Sequence, residues 1–194
     1  MNLILYRHPN VIAYKEAFFD EGSQTLCIVM EFADGGDLYQ NILDHQKKGT
    51  GFSEREIWQV VCQMVSGLKA LHDKSILHRD LKCANIFMSR DGMVKMGDLN
   101  VSKVAKYGGL LFTQTGTPYY ASPEVWKDQP YDSKSDIWSL GCLVYEMACL
   151  QPPFKAPNMD LLYKKVLSGQ YPSIPNKYSN ELAILIGSML QVIP

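Results

Sequence analysis

Between His78 and Asp98 the chain reads HRDLKCANIFMSRDGMVKMGD. Asp80, Lys82, Asn85 and Asp98 place two acids, an amide and a lysine in one short stretch. Such a set suits phosphoryl transfer from a magnesium nucleotide, a reaction that asks the protein for positioning and charge stabilisation rather than covalent chemistry. Asp80 and Asn85 are close enough in sequence to share one loop. The run from Ile86 to Gly97 reads as a tight hairpin turning at Arg90-Asp91-Gly92. That hairpin folds Asp98 back to face Asn85, so that both can reach one metal with hard oxygen ligands. Each residue alone is an ordinary turn acid or surface lysine; their order and spacing carry the reading.

The elements that must position this loop are legible on both sides of it. Val11 to Phe19 and Gln24 to Phe32 are β-rich runs joined by a turn at Asp20-Glu21-Gly22. Asp34-Gly35-Gly36-Asp37 is a flexible joint leading into a polar helix from Leu38 to Lys48. Ser53 and Glu56 make a capping box for the next helix. Along it Ile57, Val61, Met64, Leu68 and Leu71 recur at intervals of four and three, so one face is buried. Met1 to Tyr6 read as the tail of a helix broken at His8-Pro9-Asn10. Asn100 to Trp126 reads as one long irregular segment, too extended for an idle connection. Three helices are expected after it, Ser135 to Leu150, Met159 to Ser168 and Ser179 to Leu190.

Composition bounds the function classes. At 194 residues and 46% hydrophobic the chain can bury one sizeable core. A net charge of -1 gives no sign of nucleic-acid or anionic-membrane attraction. Five cysteines (Cys27, Cys62, Cys83, Cys142, Cys149) contain no CxxC pair, which argues against zinc or a disulfide framework and for reduced thiols in a cytosolic or nuclear protein. The apolar run before Arg7 and His8 is too short for a secretory signal. Ile137 to Leu150, interrupted by Glu146, falls below bilayer length and reads as a buried helix.

Gly116-Thr117-Pro118-Tyr119-Tyr120 and Ser122-Pro123-Glu124 complete an ordered series with the catalytic loop. With H-R-D-L-x-x-x-N and variant forms of D-F-G and A-P-E, the set resembles protein kinases. Within them the chain resembles NIMA-related serine/threonine kinases, through His8-Pro9-Asn10-Val11-Ile12, Ile28-Val29-Met30-Glu31-Phe32, Gly35-Gly36-Asp37-Leu38, Asn85-Ile86-Phe87 and Lys134-Ser135-Asp136-Ile137-Trp138-Ser139-Leu140-Gly141-Cys142. The resemblance implies an α+β, protein-kinase-like fold: a mainly α-helical large lobe with the fourth and fifth strands of the small lobe. Residues 1–33 would be residual small lobe and hinge, and residues 34–194 the large lobe with an activation segment at 98–124.

The same resemblance implies the cofactors ATP and Mg2+ and protein substrates with Ser/Thr acceptors. Asp80 would take or orient the acceptor's proton, Lys82 would neutralise the transferring phosphoryl group, and Asn85 and Asp98 would hold magnesium. A lysine two residues after Asp80 is the serine/threonine rather than the tyrosine pattern. Backbone groups of Glu31 and Ala33 would read the adenine edge, with Met30 closing the back of the pocket and Asp37 near the ribose. Thr117 would line the site for the residue after the acceptor and contact Asp80. His78 and Leu99 would fill a buried spine, and Asp136 would brace the catalytic loop through its backbone, with plain helix capping as a compatible alternative. Thr113 matches the usual activating phosphosite, Thr115 being second, with Arg79 as the phosphate's partner. A cytoplasmic location, extending to cytoskeleton, centrosome, cilium or nucleus, follows from the family; oligomeric state does not.

Three departures shape the expectation. Asp98-Leu99-Asn100 stands for Asp-Phe-Gly, with asparagine tolerable because it enters the left-handed region more readily than most residues. No G-x-G-x-x-G loop or V-A-I-K lysine precedes the hinge, and the helix glutamate that pairs with that lysine falls before Met1, with Leu3 as the spine residue after it. The chain stops at Gln191-Val192-Ile193-Pro194, before the arginine that usually pairs with Glu124. Both ends read as cut, which makes the 194-residue chain an expected inactive fragment of an active enzyme, sticky at its unpaired strand edges. A non-catalytic kinase-like scaffold is the alternative. A small-molecule phosphotransferase fits Gly116 to Glu124 less well.

Overall fold

The computed structural model describes residues 7–98 and 118–193. The expectations for Met1 to Tyr6, Leu99, Asn100, Thr113, Thr115 and Thr117 fall outside them. The chain opens with an antiparallel hairpin, β1 (Tyr14–Asp20) and β2 (Thr25–Met30). The register runs from Tyr14 opposite Met30 to Asp20 opposite Thr25, with an irregularity between Tyr14 and Glu16. Helices α1 (Leu38–Lys48) and α2 (Glu54–His72) follow. A second hairpin, β3 (Ile86–Met88) and β4 (Val94–Met96), lies within the stretch from His78 to Asp98. The rest is helical: α3 (Pro123–Trp126), α4 (Ser133–Cys149), α5 (Met159–Ser168) and α6 (Asn180–Met189).

The helix ends are set by local chemistry. Asp37 accepts from the Gln40 amide at the start of α1, and Gly49 leaves the helix at φ 62°, a left-handed turn that glycine takes without strain. Ser53 and Glu56 form both bonds of the capping box on α2. Asn158 and Gly169 bracket α5 in the same way as Asp37 and Gly49 bracket α1. At α4 the cap is Asp132, which accepts from the Lys134 amide, so the helix begins two residues earlier than Ser135.

The core is organised on α4. Nearly every residue from Ser135 to Ala148 is buried, with α2 on one side and α6 on the other. Trp138 stacks on Phe154 with ring centroids 5.4 Å apart, and Tyr171 meets both Phe154 and Tyr145 edge-on. Helix α2 presents Ile57, Val60, Val61, Met64, Leu68 and Leu71 to the core, the stripe expected from its sequence with Val60 added. It also crosses β4 closely. A Cβ on Gly67 would lie 2.5 Å from Met96 Cε and 3.0 Å from the Asn10 carbonyl, so a larger residue there would force Met96 and the backbone at Asn10 to shift.

Two expectations are corrected. Asn100 to Trp126 is not irregular to its end, because Ser122 and Pro123 start the one-turn helix α3. The strands are shorter than Val11 to Phe19 and Gln24 to Phe32. Val11 instead bridges in parallel to Met96, and Glu31 leaves the ladder.

Candidate active site

The loop from His78 to Asn85 hangs from α4. Asp136, fully buried in the first turn of α4, accepts from the backbone N–H of His78 (2.9 Å) and Arg79 (3.0 Å). The His72 Nε2 lies 2.8 Å from the same carboxylate, and the Tyr131 hydroxyl donates to it at 2.5 Å. Capping falls to Asp132, so Asp136 is free to organise the loop rather than its own helix. Arg79 sits at φ 68°, a left-handed conformation that costs a non-glycine residue about 1 kcal/mol. Two charge-assisted bonds from adjacent amides are what such a residue needs to stay there. Burial pushes the His78 imidazole down towards neutrality, against the pull of Asp136 and Asp80. Burial and the Asp136 charge push the Tyr131 phenol well up, so its hydroxyl remains a donor.

Asp80 projects from this loop, half-buried. Its Oδ2 accepts from Lys82 Nζ at 3.0 Å and Asn85 Nδ2 at 3.1 Å, and the Asn85 amide also donates to the Asp80 carbonyl at 2.8 Å. One carboxylate oxygen is therefore fixed by two donors from its own loop. With its nitrogen engaged, the Asn85 side chain is oriented by Asp80, and its amide oxygen is the atom left to act as a ligand. The β3–β4 hairpin brings the next acid back as expected: the Gly97 amide donates to the Asn85 carbonyl at 2.9 Å, and Asp98 follows, exposed, at φ 53°. Among the described residues no cluster of three His, Cys, Asp or Glu side chains could hold a metal by itself. That donor set still fits magnesium, which keeps its waters and binds through one or two protein oxygens plus phosphates. Asp98 and the Asn85 oxygen would hold it beside a nucleotide.

The hinge segment runs beside this hairpin. Gly35 donates to the Met88 carbonyl (2.9 Å) and Met88 to the Gly36 carbonyl (2.8 Å), so its far end is laced to β3. Met30 is half-exposed at the end of β2, Ala33 is partly buried, and Asp37 caps α1.

A network that the sequence did not disclose surrounds the loop from below. Glu146 of α4 accepts from the Tyr120 hydroxyl and from Cys83 Sγ (3.7 Å), and Ser139 Oγ donates to the Tyr120 carbonyl at 2.9 Å. Burial pushes the Glu146 carboxyl above the ordinary glutamate range, although Tyr120 and Cys83 pull it back. Glu124 accepts from Ser135 Oγ, one residue before Asp136. So α4 ties the catalytic turn and the Pro118–Trp126 segment to one scaffold. No local pattern marks His72, Tyr131 or Glu146, since their partners come from other elements.

The Protein kinase domain profile matches residues 2–194, essentially the whole chain. The chain belongs to the protein kinase family. The chain is 43% identical over 97% of its length to mouse serine/threonine-protein kinase Nek4, covering 24% of that protein. It is 42% identical over 97% of its length to mouse Nek1, covering 15% of it. A probable serine/threonine-protein kinase nek2 of Dictyostelium discoideum is 39% identical over 97% of the chain, which covers 46% of that protein. The chain thus spans under half the length of these curated relatives. The relatives bear out both the NIMA-related resemblance and the α+β kinase-like fold. No helix among the described residues is long and apolar enough to cross a membrane.

Proposed function

We propose that residues 1–194 are the catalytic part of an ATP-dependent protein serine/threonine kinase, which transfers the γ-phosphate to Ser/Thr hydroxyls of protein substrates. Residues 34–194 serve as the large lobe, and residues 1–33 as residual small lobe and hinge. The observation that carries this reading is the arrangement at Asp80, whose Oδ2 is held by both Lys82 and Asn85 within one turn.

Magnesium-bound ATP would supply the transferable phosphoryl group. Asp80 orients the acceptor hydroxyl and receives its proton on its carboxylate. Lys82, held 3.0 Å from Asp80, brings positive charge to the place where the phosphoryl group passes. Asn85 locks the Asp80 side chain through its nitrogen and offers its oxygen to the metal together with Asp98. Backbone groups of Glu31 and Ala33 read adenine, Met30 closes the pocket behind it, and Asp37 lies towards the ribose. Thr117 contributes to acceptor binding. A phosphate on Thr113, or secondarily Thr115, pairs with Arg79 and orders residues 98–124.

The test is γ-phosphate transfer to casein or an arrayed peptide library, by the 194-residue chain and by a version extended upstream through in-frame sequence. The extended protein is expected to work and to lose at least about 10²-fold with Asp80→Asn. The 194-residue chain is expected to be inactive alone. An extended protein whose Asp80→Asn variant stays within a few-fold of wild type would remove the mechanism. Stable folding with no transfer from either chain would favour the scaffold.

A further inference from the structure

We propose that Lys95 is a positioning residue for the adenine end of the nucleotide site, holding the hinge through Glu31 at a fixed place relative to Asp98. The proposal rests on the reading of Met30 to Ala33 as the adenine-binding segment.

Val94 and Met96 are buried in the core, and strand alternation puts Lys95 on the opposite face of β4. Its ammonium is 2.9 Å from Glu31 Oε1 and donates to the Pro9 carbonyl at 2.9 Å. Only 15% of the Lys95 side chain is exposed. An ammonium so far removed from water stays there only if its donors are matched. Glu31 is gripped from a second side as well. Its Oε2 accepts the Ala13 N–H at 3.2 Å, and its own N–H donates to the Ala13 carbonyl at 2.8 Å. Burial works against ionisation of Glu31, but Lys95 and the Ala13 amide more than offset it, and the carboxyl titrates below the ordinary range.

This makes the hinge a span with two anchors on one hairpin. Its near end is fastened to β4 by Lys95, and its far end to β3 by Met88. Strand β4 is itself laced to residues 10–12, through Met96 N–H to the Asn10 carbonyl (2.9 Å) and Ile12 N–H to the Met96 carbonyl (2.8 Å). Asp98 follows Lys95 by three residues. The base-reading and metal-holding ends of the site are therefore set against each other by the Lys95–Glu31 pair together with the backbone bonds of residues 10–13. β1 and β2 pair only with each other among the described strands, so they do not provide this fix.

The experiment measures adenosine affinity by calorimetry, with KM for ATP, KM for peptide and kcat, in the full-length protein containing residues 1–194. Lys95→Met is expected to weaken adenosine and raise the ATP KM by the same factor, about five- to tenfold, leaving kcat and peptide KM within about twofold. Glu31→Gln, a milder change that keeps an acceptor for Ala13, is expected to weaken adenosine too. The double variant should be no worse than the poorer single one, and Lys95→Arg should restore binding. Unchanged adenosine affinity with a raised ATP KM would make Lys95 a phosphate contact and overturn the proposal. Multiplying single effects, or parallel losses in kcat and peptide KM, would make it a general brace and overturn it too. Wild-type protein that binds no adenosine would instead remove the nucleotide reading on which the proposal rests.

Discussion

Helix α4 and the β1–β2 hairpin have similar apolar content but meet water in opposite ways. In α4 even the polar side chains of Ser135, Asp136 and Glu146 are buried, each with a partner from another element. In the hairpin Phe18, Phe19, Leu26 and Ile28 are all more than half exposed, and these two strands form a sheet of their own. Apolar content alone thus does not make a core; a layer must cover it. The helix has that layer within the chain, and its buried acids consequently become organising centres. The hairpin presents residues of high β-propensity on both faces, a surface suited to further strands.

The contrast is broken most severely at Asp136. Asp136→Ala leaves two backbone amides, an imidazole and a phenol without their acceptor, and is expected to cost on the order of 3 kcal/mol or more. Urea unfolding would register it as a lower midpoint, and a loss under about 1 kcal/mol would show that the loop does not depend on α4. Trp138→Ala, which empties the stack on Phe154, is expected to cost a comparable amount, about 3–5 kcal/mol by the same assay. On the hairpin, Ile28→Thr is expected to change stability by no more than about 0.5 kcal/mol. It should reduce self-association in light scattering; a large loss of stability there would mean that the hairpin is part of the core after all.

The two regions should also titrate with opposite sign. Glu146 binds its proton more tightly folded than unfolded, so the native state holds more protons above the ordinary glutamate range. Stability therefore falls as pH rises through that window. Glu31 is depressed, so its contribution is present above the ordinary range and is lost as pH falls through its folded value. Urea midpoints against pH for Glu146→Gln and Glu31→Gln, each subtracted from wild type, should slope in opposite directions. Parallel slopes would show that one of the carboxyls sits elsewhere.

Much of this was legible because its causes are local. Helices α1 and α5 have the boundaries read from the sequence, since Asp37, Gly49, Asn158 and Gly169 act within a turn of themselves. The hairpin at Arg90-Asp91-Gly92 and the Asp80, Lys82, Asn85 grouping are equally short-range. Helix α4 was placed two residues late because Asp132 and Asp136 both resemble caps, and only burial separates them. His72 and Tyr131 on Asp136, Cys83 and Tyr120 on Glu146, and Lys95 on Glu31 depend on how distant elements pack. Sequence periodicity marks those positions as buried or exposed, but not as partners.

The left-handed backbone at Arg79 has a consequence for how sharply the site can be switched. A conformational cost of about 1 kcal/mol corresponds to roughly a fivefold population ratio. The 78–80 turn thus keeps its geometry through the Asp136 bonds rather than through its own backbone preference. Whatever tightens or loosens the grip of α4 on two amides would then shift the fraction of molecules with a competent loop, while the helices beneath remain in place.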